Sequence, residues 1–161
     1  MAHISHSQFT TYNDCNLKWK LRYIDKLGVF VGNIHTLFGS AMHTVIQEYL
    51  SVMYNKSIVA ADKLDMESRL KEEMVIEFTK IKESQDILPC TQDEMMEFYQ
   101  DGVSILGHFR KYRNKYFMKQ NWELVGIEFP ILKDIQEGVQ MMGFLDVVLR
   151  NKISGRIVII D

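Results

Sequence analysis

Two segments near the end of the chain, residues 143–149 and 157–161, are apolar at almost every position. Successive side chains of a strand point to opposite faces of a sheet, so strands with this pattern are typically buried on both faces. A sheet is buried on both faces when helices cover it from two sides. These two segments therefore predict an α/β fold with a central sheet.

The chain as a whole predicts helices first and strands last. Apolar residues recur with a period of about 3.6 residues between positions 36 and 54, which is typical of an amphipathic helix. The predicted helices cover residues 5–15, 16–25, 36–54, 62–84 and 91–117. The predicted strands cover residues 123–132, 139–150 and 156–161, with a turn at 151–155. We expect one domain over residues 1–161, with a helical N-terminal half and a mixed central sheet flanked by helices.

The composition excludes several classes of protein. Apolar residues make up 47% and charged residues 25% of the chain, as in ordinary globular proteins. Two cysteines, Cys15 and Cys90, are too few for a disulfide framework. No apolar run reaches the roughly 18 residues of a transmembrane helix, and the N-terminus lacks the pattern of a signal peptide. We therefore expect a cytoplasmic protein with no membrane partner.

Asp146 and Asp161 interrupt the two apolar strands. A buried, ionised carboxylate is costly unless an ion pair, a proton or a metal ion compensates its charge. If the hairpin closes with Asn151 opposite Arg156, the two aspartates face each other with their Cβ atoms about 5 Å apart. A hard divalent cation such as Mg²⁺ or Mn²⁺ would then offset the repulsion between the two carboxylates.

Other arrangements of these two aspartates stay open. Asp146 can instead form an ion pair with Arg150 or Arg156. Asp161, as the last residue, can be frayed and exposed. A loop of odd length would place the two carboxylates on opposite faces of the sheet.

His43 lies on the predicted helix at 36–54, next to its apolar stripe. Residues 39–41 are small and permit this helix to approach another backbone closely. A single histidine on a helix is more often a hydrogen-bonded structural residue than a metal ligand. His43 by itself therefore does not decide between the two roles.

Four motifs, taken together, resemble those of RecB-like nucleases of the PD-(D/E)XK superfamily. The N-terminal segment 5–24 resembles their N-terminal signature, and residues 38–50, which begin FGSAMH, resemble their histidine helix. Residues 143–146, GFLD, resemble their Gly-x-x-Asp strand, and residues 157–161 resemble the strand that ends in Asp/Glu-x-Lys. The order and spacing of the motifs agree over essentially the whole chain.

The resemblance implies a restriction-endonuclease-like core and a metal-dependent DNA nuclease. His43, Asp146 and Asp161 would be the catalytic residues and would ligate Mg²⁺ or Mn²⁺. Water activated by the metal would hydrolyse phosphodiester bonds of DNA, as in exonucleases of recombination, repair or phage DNA processing. A helicase or another recombination protein would be a partner.

The chain departs from the family pattern at the motif lysine. This lysine would stand at position 163, and the sequence ends at Asp161. We therefore expect a domain that is incomplete at its C-terminus and inactive or impaired, even if the parent protein is a nuclease. The alternatives are a non-catalytic module of nuclease fold that binds DNA or a protein partner, and an unrelated α/β domain.

Three further residues have weaker assignments. Glu128 lies on the strand before Asp146, where relatives often have an acid, so it is either near the site or a solvent-facing glutamate of an edge strand. Glu48, five residues after His43, is either structural or in contact with a metal ligand. Cys15 matches a cysteine that ligates an iron–sulfur cluster in some relatives, but many relatives lack the cluster and we expect none here.

Two basic stretches are candidates for binding DNA, although the formal net charge of the chain is −2. Lysines and arginines in them would neutralise phosphates, and neighbouring aromatic rings would stack on unpaired bases. The basic residues are Lys18, Lys20, Arg22, Arg110, Lys111, Arg113 and Lys115. In the stretch 109–119, the helical spacing of the aromatic residues favours the alternative that the rings belong to the core and the charges are simply solvated.

Overall fold

The computed structural model describes residues 2–28, 31–117 and 120–160, and it confirms the mixed α/β class. The helices are α1 (His6–Asp14), α2 (Asn16–Trp19), α3 (Ile34–Asn55), α4 (Ile58–Asp62), α5 (Met66–Gln85) and α6 (Gln92–Tyr116). A π-helical turn, Lys20–Ile24, follows α2 directly. The strands are β1 (Ala2–Ser5), β2 (Trp122–Gln136), β3 (Val139–Asn151) and β4 (Ile157–Ile160).

The long helices begin where the sequence predicts them because side chains cap their first turns. Thr91 and Glu94 form a reciprocal capping box at the start of α6, as the predicted N-cap requires. Ser5 caps α1 by accepting a hydrogen bond from the backbone N–H of Gln8. The predicted long helices are therefore confirmed, with small shifts at their ends. Helix α4 was not predicted, because five residues are too few to show a helical period.

The four strands form one mixed sheet in the order β1-β3-β2, with β4 also paired to β3. Strand β1 runs parallel to β3, with Ala2 opposite Val139 and Ser5 opposite Met142. Strand β1 was not predicted, because its four residues show no clear alternation and lead straight into a helix cap. Its pairing to residues more than 130 positions later is a tertiary feature.

The turn between β3 and β4 confirms the predicted hairpin. Asn151 donates its backbone N–H to the carbonyl of Arg156 at 2.8 Å, and Gly155 donates to the carbonyl of Asn151 at 2.9 Å. Gly155 has a φ of +70°, the left-handed conformation of the first residue in a G1 bulge. Asn151 therefore faces Arg156 at the start of the hairpin, as the prediction required. Asp161 lies outside the described residues, so its pairing with Asp146 stays a prediction.

The burial of the last two strands differs from the expectation for two covered faces. Three successive residues of β3, 147–149, are each buried, whereas β4 alternates. Ile157 and Ile159 on β4 are 59% and 53% exposed. The prediction of two buried faces is therefore wrong for β4 in the described structure. The apolar composition of a strand does not reveal whether a second layer of structure covers its other face.

The chain divides into two compact units, which we call the sheet unit and the helical unit. The sheet unit contains residues 1–30, 126–148 and 159–161, and the helical unit contains residues 31–125 and 149–158. In the helical unit α3, α5 and α6 pack around one core. The large side chains that are fully or almost fully buried there include Leu37, Val45, Tyr49, Leu50, Met53, Leu70, Met74 and Leu106.

Candidate functional site

The sheet unit brings two carboxylates together, those of Glu128 on β2 and Asp146 on β3. Oxygen atoms of these two side chains lie within 4.8 Å of each other. Asp146 is partly buried and Glu128 is exposed. Glu128 therefore lies near Asp146 and is also exposed to solvent on the edge strand β2, so both positions that the sequence left open for it apply.

An unusual backbone conformation sets the position of Glu128. Its φ is +48°, in the left-handed region that costs a residue with a side chain about 1–2 kcal/mol. The chain bends here, since a Cβ atom added to Gly126 would lie only 2.7 Å from the ring of Phe129. Pro130 follows, and it has no N–H to offer to a sheet ladder. The bend redirects the Glu128 side chain, as bulges beside functional sites often do.

The regular alternation of side chains along β3 sets the position of Asp146. Alternation along the strand places Phe144, Asp146 and Val148 on one face of the sheet. Phe144 is 55% exposed and Val148 is 5% exposed, so Asp146 lies where this face passes from solvent into the core. A partly buried carboxylate keeps access to an ion while its strand holds it in place.

The chemistry of the two donors fits a hard divalent cation. Two carboxylates at this separation repel each other unless a positive charge lies near both. Carboxylate oxygens are the ligands that Mg²⁺ and Mn²⁺ prefer in proteins. The pair therefore suits the metal that the sequence predicts.

His43 and Asp161 are the other two ligands predicted from the sequence. His43 is an exposed residue of α3 in the helical unit, beside the buried Met42. Its place next to the apolar stripe agrees with the helical period of the sequence. Asp161 lies outside the described residues, so its predicted role as a ligand remains a prediction.

Glu48 forms part of an ion-pair cluster in the helical unit. Its carboxylate lies 3.0 Å from the guanidinium of Arg69, which also pairs with Glu72 at 3.2 Å and Glu73 at 2.5 Å. Arg69 on α5 thus joins α3 to α5 through Glu48, while its pairs with Glu72 and Glu73 lie within α5. This arrangement matches the structural role that the sequence left open for Glu48.

Cys15 is exposed, and its thiol performs a local structural role. Its Sγ atom accepts the backbone N–H of Lys18 at 3.4 Å, which caps the start of α2. Cys90 is the other free cysteine, and burial raises the pKa of its thiol. The sequence match of Cys15 to a cluster ligand therefore stays a resemblance.

The N-terminal basic residues lie on an exposed helical segment of the sheet unit. Lys18 and Lys20 are exposed, and the Lys20 ammonium lies 3.8 Å from the carboxylate of Asp25. The guanidinium of Arg22 lies 5.4 Å from the ring centroid of Tyr23. This segment presents positive charge beside aromatic rings, as the sequence suggested.

The basic residues of α6 divide into two pairs. Arg113 forms an ion pair with Asp62 at 2.7 Å, and Arg110 donates to the carbonyl of Leu64 at 2.9 Å. These two arginines therefore hold the segment around α4 against α6. Lys111 and Lys115 are exposed. The sequence shows these four residues as one basic cluster. Only the packing of the helical unit distinguishes the two arginines with internal partners from the two exposed lysines.

The chain matches a known protein family. The sequence model of the PD-(D/E)XK nuclease superfamily matches residues 3–161. Because the match covers nearly the whole chain, the protein belongs to this superfamily, whose members have a nuclease-type function and generally use divalent metal ions. No curated protein matches the chain. Among the helices of the described ranges, none has the length and hydropathy of a membrane-spanning segment.

Proposed function

We propose that this protein is a divalent-metal-dependent DNA nuclease. The observation that carries the proposal is the pair of carboxylates, Glu128 and Asp146, in a member of a nuclease superfamily. As predicted from the RecB-like motifs, we propose exonuclease-like activity in recombination, repair or phage DNA processing, with a helicase as a partner. The cytoplasmic setting expected from the sequence also remains part of this proposal.

We propose that Asp146 and Glu128 hold the cation, and that His43 and Asp161, the ligands expected from the family resemblance, complete the set. The three acids offer hard oxygen donors, and the neutral imidazole of His43 offers a nitrogen. The facing pair of Asn151 and Arg156 supports the inclusion of Asp161, because a regular hairpin would continue it to Asp146 opposite Asp161. The sequence prediction gave Glu128 only a supporting role, and we now propose it as a metal ligand.

The ion, when bound, would activate a water molecule and stabilise negative charge on the phosphate oxygens. The protein's own contribution is position. Strand β3 holds Asp146 by its ladder, and the bend at 126–130 holds the Glu128 carboxylate beside it. Ligands fixed in advance on rigid strands need little rearrangement when the metal and the substrate bind.

Calorimetric titration with Mn²⁺ tests the metal site. We expect Asp146→Asn and Glu128→Gln each to weaken Mn²⁺ binding by tenfold or more, because each removes one charged oxygen donor. Asp134→Asn is the matched control, since Asp134 is an exposed β2 carboxylate that accepts a hydrogen bond from Gln140. Unchanged affinity in the Asp146 variant would remove this residue from the ligand set.

Degradation of linear DNA in Mg²⁺ tests the activity. In a chain that extends through the motif lysine expected at position 163, we expect His43→Ala and Asp146→Ala to abolish degradation and Asp134→Asn to preserve it. A covalently closed circle of the same sequence should resist an exonuclease, so cutting of the circle would contradict the exonuclease assignment. Full activity in both alanine variants would mean that the proposed site is wrong. Metal binding without any cleavage would favour the non-catalytic module.

A further inference from the structure

The last two turns of α6 have two faces with different chemistry. One face belongs to the core of the helical unit. The ring of Phe109 packs edge-on against the buried Tyr49 at 5.3 Å between centroids, and Arg113 lies in its ion pair with Asp62. Phe117, just after the helix, is 8% exposed and contacts Phe109. These residues are occupied by internal contacts.

The other face carries an exposed row of aromatic and cationic side chains, which we call the α6 stripe. Its members are spaced by three and four residues, the spacing that aligns side chains on one side of a helix. All five are exposed. They are His108, Lys111, Tyr112, Lys115 and Tyr116.

The side chains of the α6 stripe contact one another. The rings of His108 and Tyr112 lie 4.4 Å apart between centroids with an angle of 37° between their planes. The ammonium of Lys111 lies 5.2 Å from the centroid of Tyr112, and that of Lys115 lies 5.3 Å from the centroid of Tyr116. Tyr116 is 60% exposed. The stripe thus combines open ring surface with two positive charges, and residues 108–116 contain no acid.

The exposure of Tyr112 and Tyr116 decides between the two sequence interpretations of this stretch. Helical spacing favoured rings in the core, and Phe109 agrees with this prediction because it packs against the buried Tyr49. The two tyrosines do not, because Tyr112 is 38% exposed and Tyr116 is 60% exposed. The exposed part of these aromatic side chains is available for contact with a ligand.

We infer that the α6 stripe binds single-stranded DNA. Tyr116 and the adjacent, tilted rings of His108 and Tyr112 offer ring surface to unpaired bases, and Lys111 and Lys115 neutralise phosphates. Stacking of a base on an aromatic side chain contributes about 1–3 kcal/mol and does not depend on sequence. The rings are separated by four residues, or about 6 Å along the helix axis. Duplex DNA keeps its bases stacked internally, so it would use only the lysines.

This inference rests on the proposed function for its choice of DNA, and it adds that the strand bound is unpaired. The protein would hold a single strand on the helical unit whether or not a metal ion is bound. Binding is therefore measurable in EDTA, where cleavage does not occur.

Fluorescence anisotropy with a labelled 12-nucleotide oligo(dT) in EDTA tests the α6 stripe. We expect the double variant Tyr112→Ala/Tyr116→Ala to weaken binding at least tenfold, since two stacking contacts are lost. The double variant Tyr112→Phe/Tyr116→Phe should bind almost as tightly as the original chain, because phenylalanine keeps the ring. Circular dichroism checks that each variant is folded.

The salt dependence of binding tests the lysines separately. Each phosphate contact with a single strand contributes about 0.7 to the slope of log K against log salt concentration. Lys111→Gln/Lys115→Gln should reduce the slope by about 1.4. The matched control is Lys56→Gln/Lys63→Gln, which removes two exposed lysines of the same unit outside the stripe. A slope that falls equally in both double variants would overturn the assignment of the phosphates to the stripe.

Three results would overturn the inference itself. The first is that the original chain does not bind oligo(dT), and the second is that binding is equal after removal of both tyrosine rings. The third is that a 12-base-pair duplex binds as tightly as oligo(dT) and that its affinity falls by the same factor when the rings are removed. Equal affinity for oligo(U) would overturn the restriction to DNA. A chain that binds oligo(dT) through the stripe but neither binds Mn²⁺ nor cuts DNA would overturn the proposed function alone.

Discussion

Tyr49, Asp62 and Arg113 form a chain of polar contacts inside the helical unit. The Tyr49 hydroxyl donates to Asp62 at 2.7 Å, and the other oxygen of Asp62 accepts from Arg113 at 2.7 Å. Burial, and then the hydrogen bond to Asp62, raise the pKa of Tyr49 above its usual range. The sequence places Tyr49 on the apolar stripe of a helix but does not indicate which carboxylate its hydroxyl meets.

Replacing Tyr49 by Phe should lower the free energy of unfolding by about 2 kcal/mol, the usual contribution of a hydrogen bond to a charged group. Tyr54→Phe is the matched control, because the Tyr54 hydroxyl is buried without a hydrogen-bond partner in the described part of the chain. Its removal should leave stability unchanged or raise it. Urea denaturation of both variants measures the difference, and equal losses would contradict the role of Asp62.

Glu128 shows the limit of prediction at the scale of single residues. The sequence marks an acid within an apolar segment, so its proximity to the site was one of two expected outcomes. Its left-handed φ of +48° was not predictable, because glutamate has no local preference for this conformation. The close approach of the Phe129 ring to Gly126, which leaves no room for a Cβ atom there, accompanies it.

At the scale of elements, helix α6 depends on a close approach to α5. A Cβ atom on Gly102 would lie 2.5 Å from Leu70 and 3.0 Å from Phe38. Gly107, one and a half turns later, has no atom within 4 Å of its added Cβ position in the described structure. Packing therefore requires a glycine at position 102, whereas the space around Gly107 would accept a side chain.

We expect Gly102→Ala to lower the free energy of unfolding by about 1–3 kcal/mol, through overpacking against Leu70. Gly107→Ala should raise it by about 0.5–1 kcal/mol, because alanine loses less backbone entropy in a helix. Thermal denaturation of both variants, followed by circular dichroism, gives the two signs. A loss of stability in the Gly107 variant would mean that its surroundings are more crowded than the structure shows.

The longest elements are also those that the sequence predicts best. A period of 3.6 residues over five or more turns, with capping residues at the start, leaves few alternatives for α3 and α6. Helix α4 and strand β1 are too short to show a period. Each is held by contacts with distant residues, as β1 is held by residues 139–142 of β3.

At the scale of the whole molecule, stability should fall at alkaline pH. Burial raises the pKa of Tyr54 to about 12, and that of Tyr49 lies higher. The unfolded chain loses these protons near pH 10, so their contribution is complete below pH 10 and is lost as the pH rises through the folded pKa values. The free energy of unfolding should therefore decrease from about pH 10 upward.

Urea denaturation at several pH values measures this dependence. The decline above pH 10 should be shallower in Tyr49→Phe and in Tyr54→Phe, since each lacks one hydroxyl that must remain protonated in the folded chain. A tyrosine exposed in the α6 stripe, such as Tyr116, is the control, and its replacement by Phe should leave the slope unchanged. An equal slope in all three variants would exclude the buried hydroxyls as the cause.

The sequence by itself determined the order of helices and strands, the hairpin at 151–156 and the motifs of the nuclease superfamily. These features arise from local periodicity, capping and turn chemistry, which a short stretch of chain encodes. Tertiary structure alone decided that Arg110 and Arg113 hold the helical unit together while Lys111 and Lys115 face solvent. It also brought Glu128 beside Asp146, because the meeting of side chains from different strands depends on backbone bends and packing that no local pattern records.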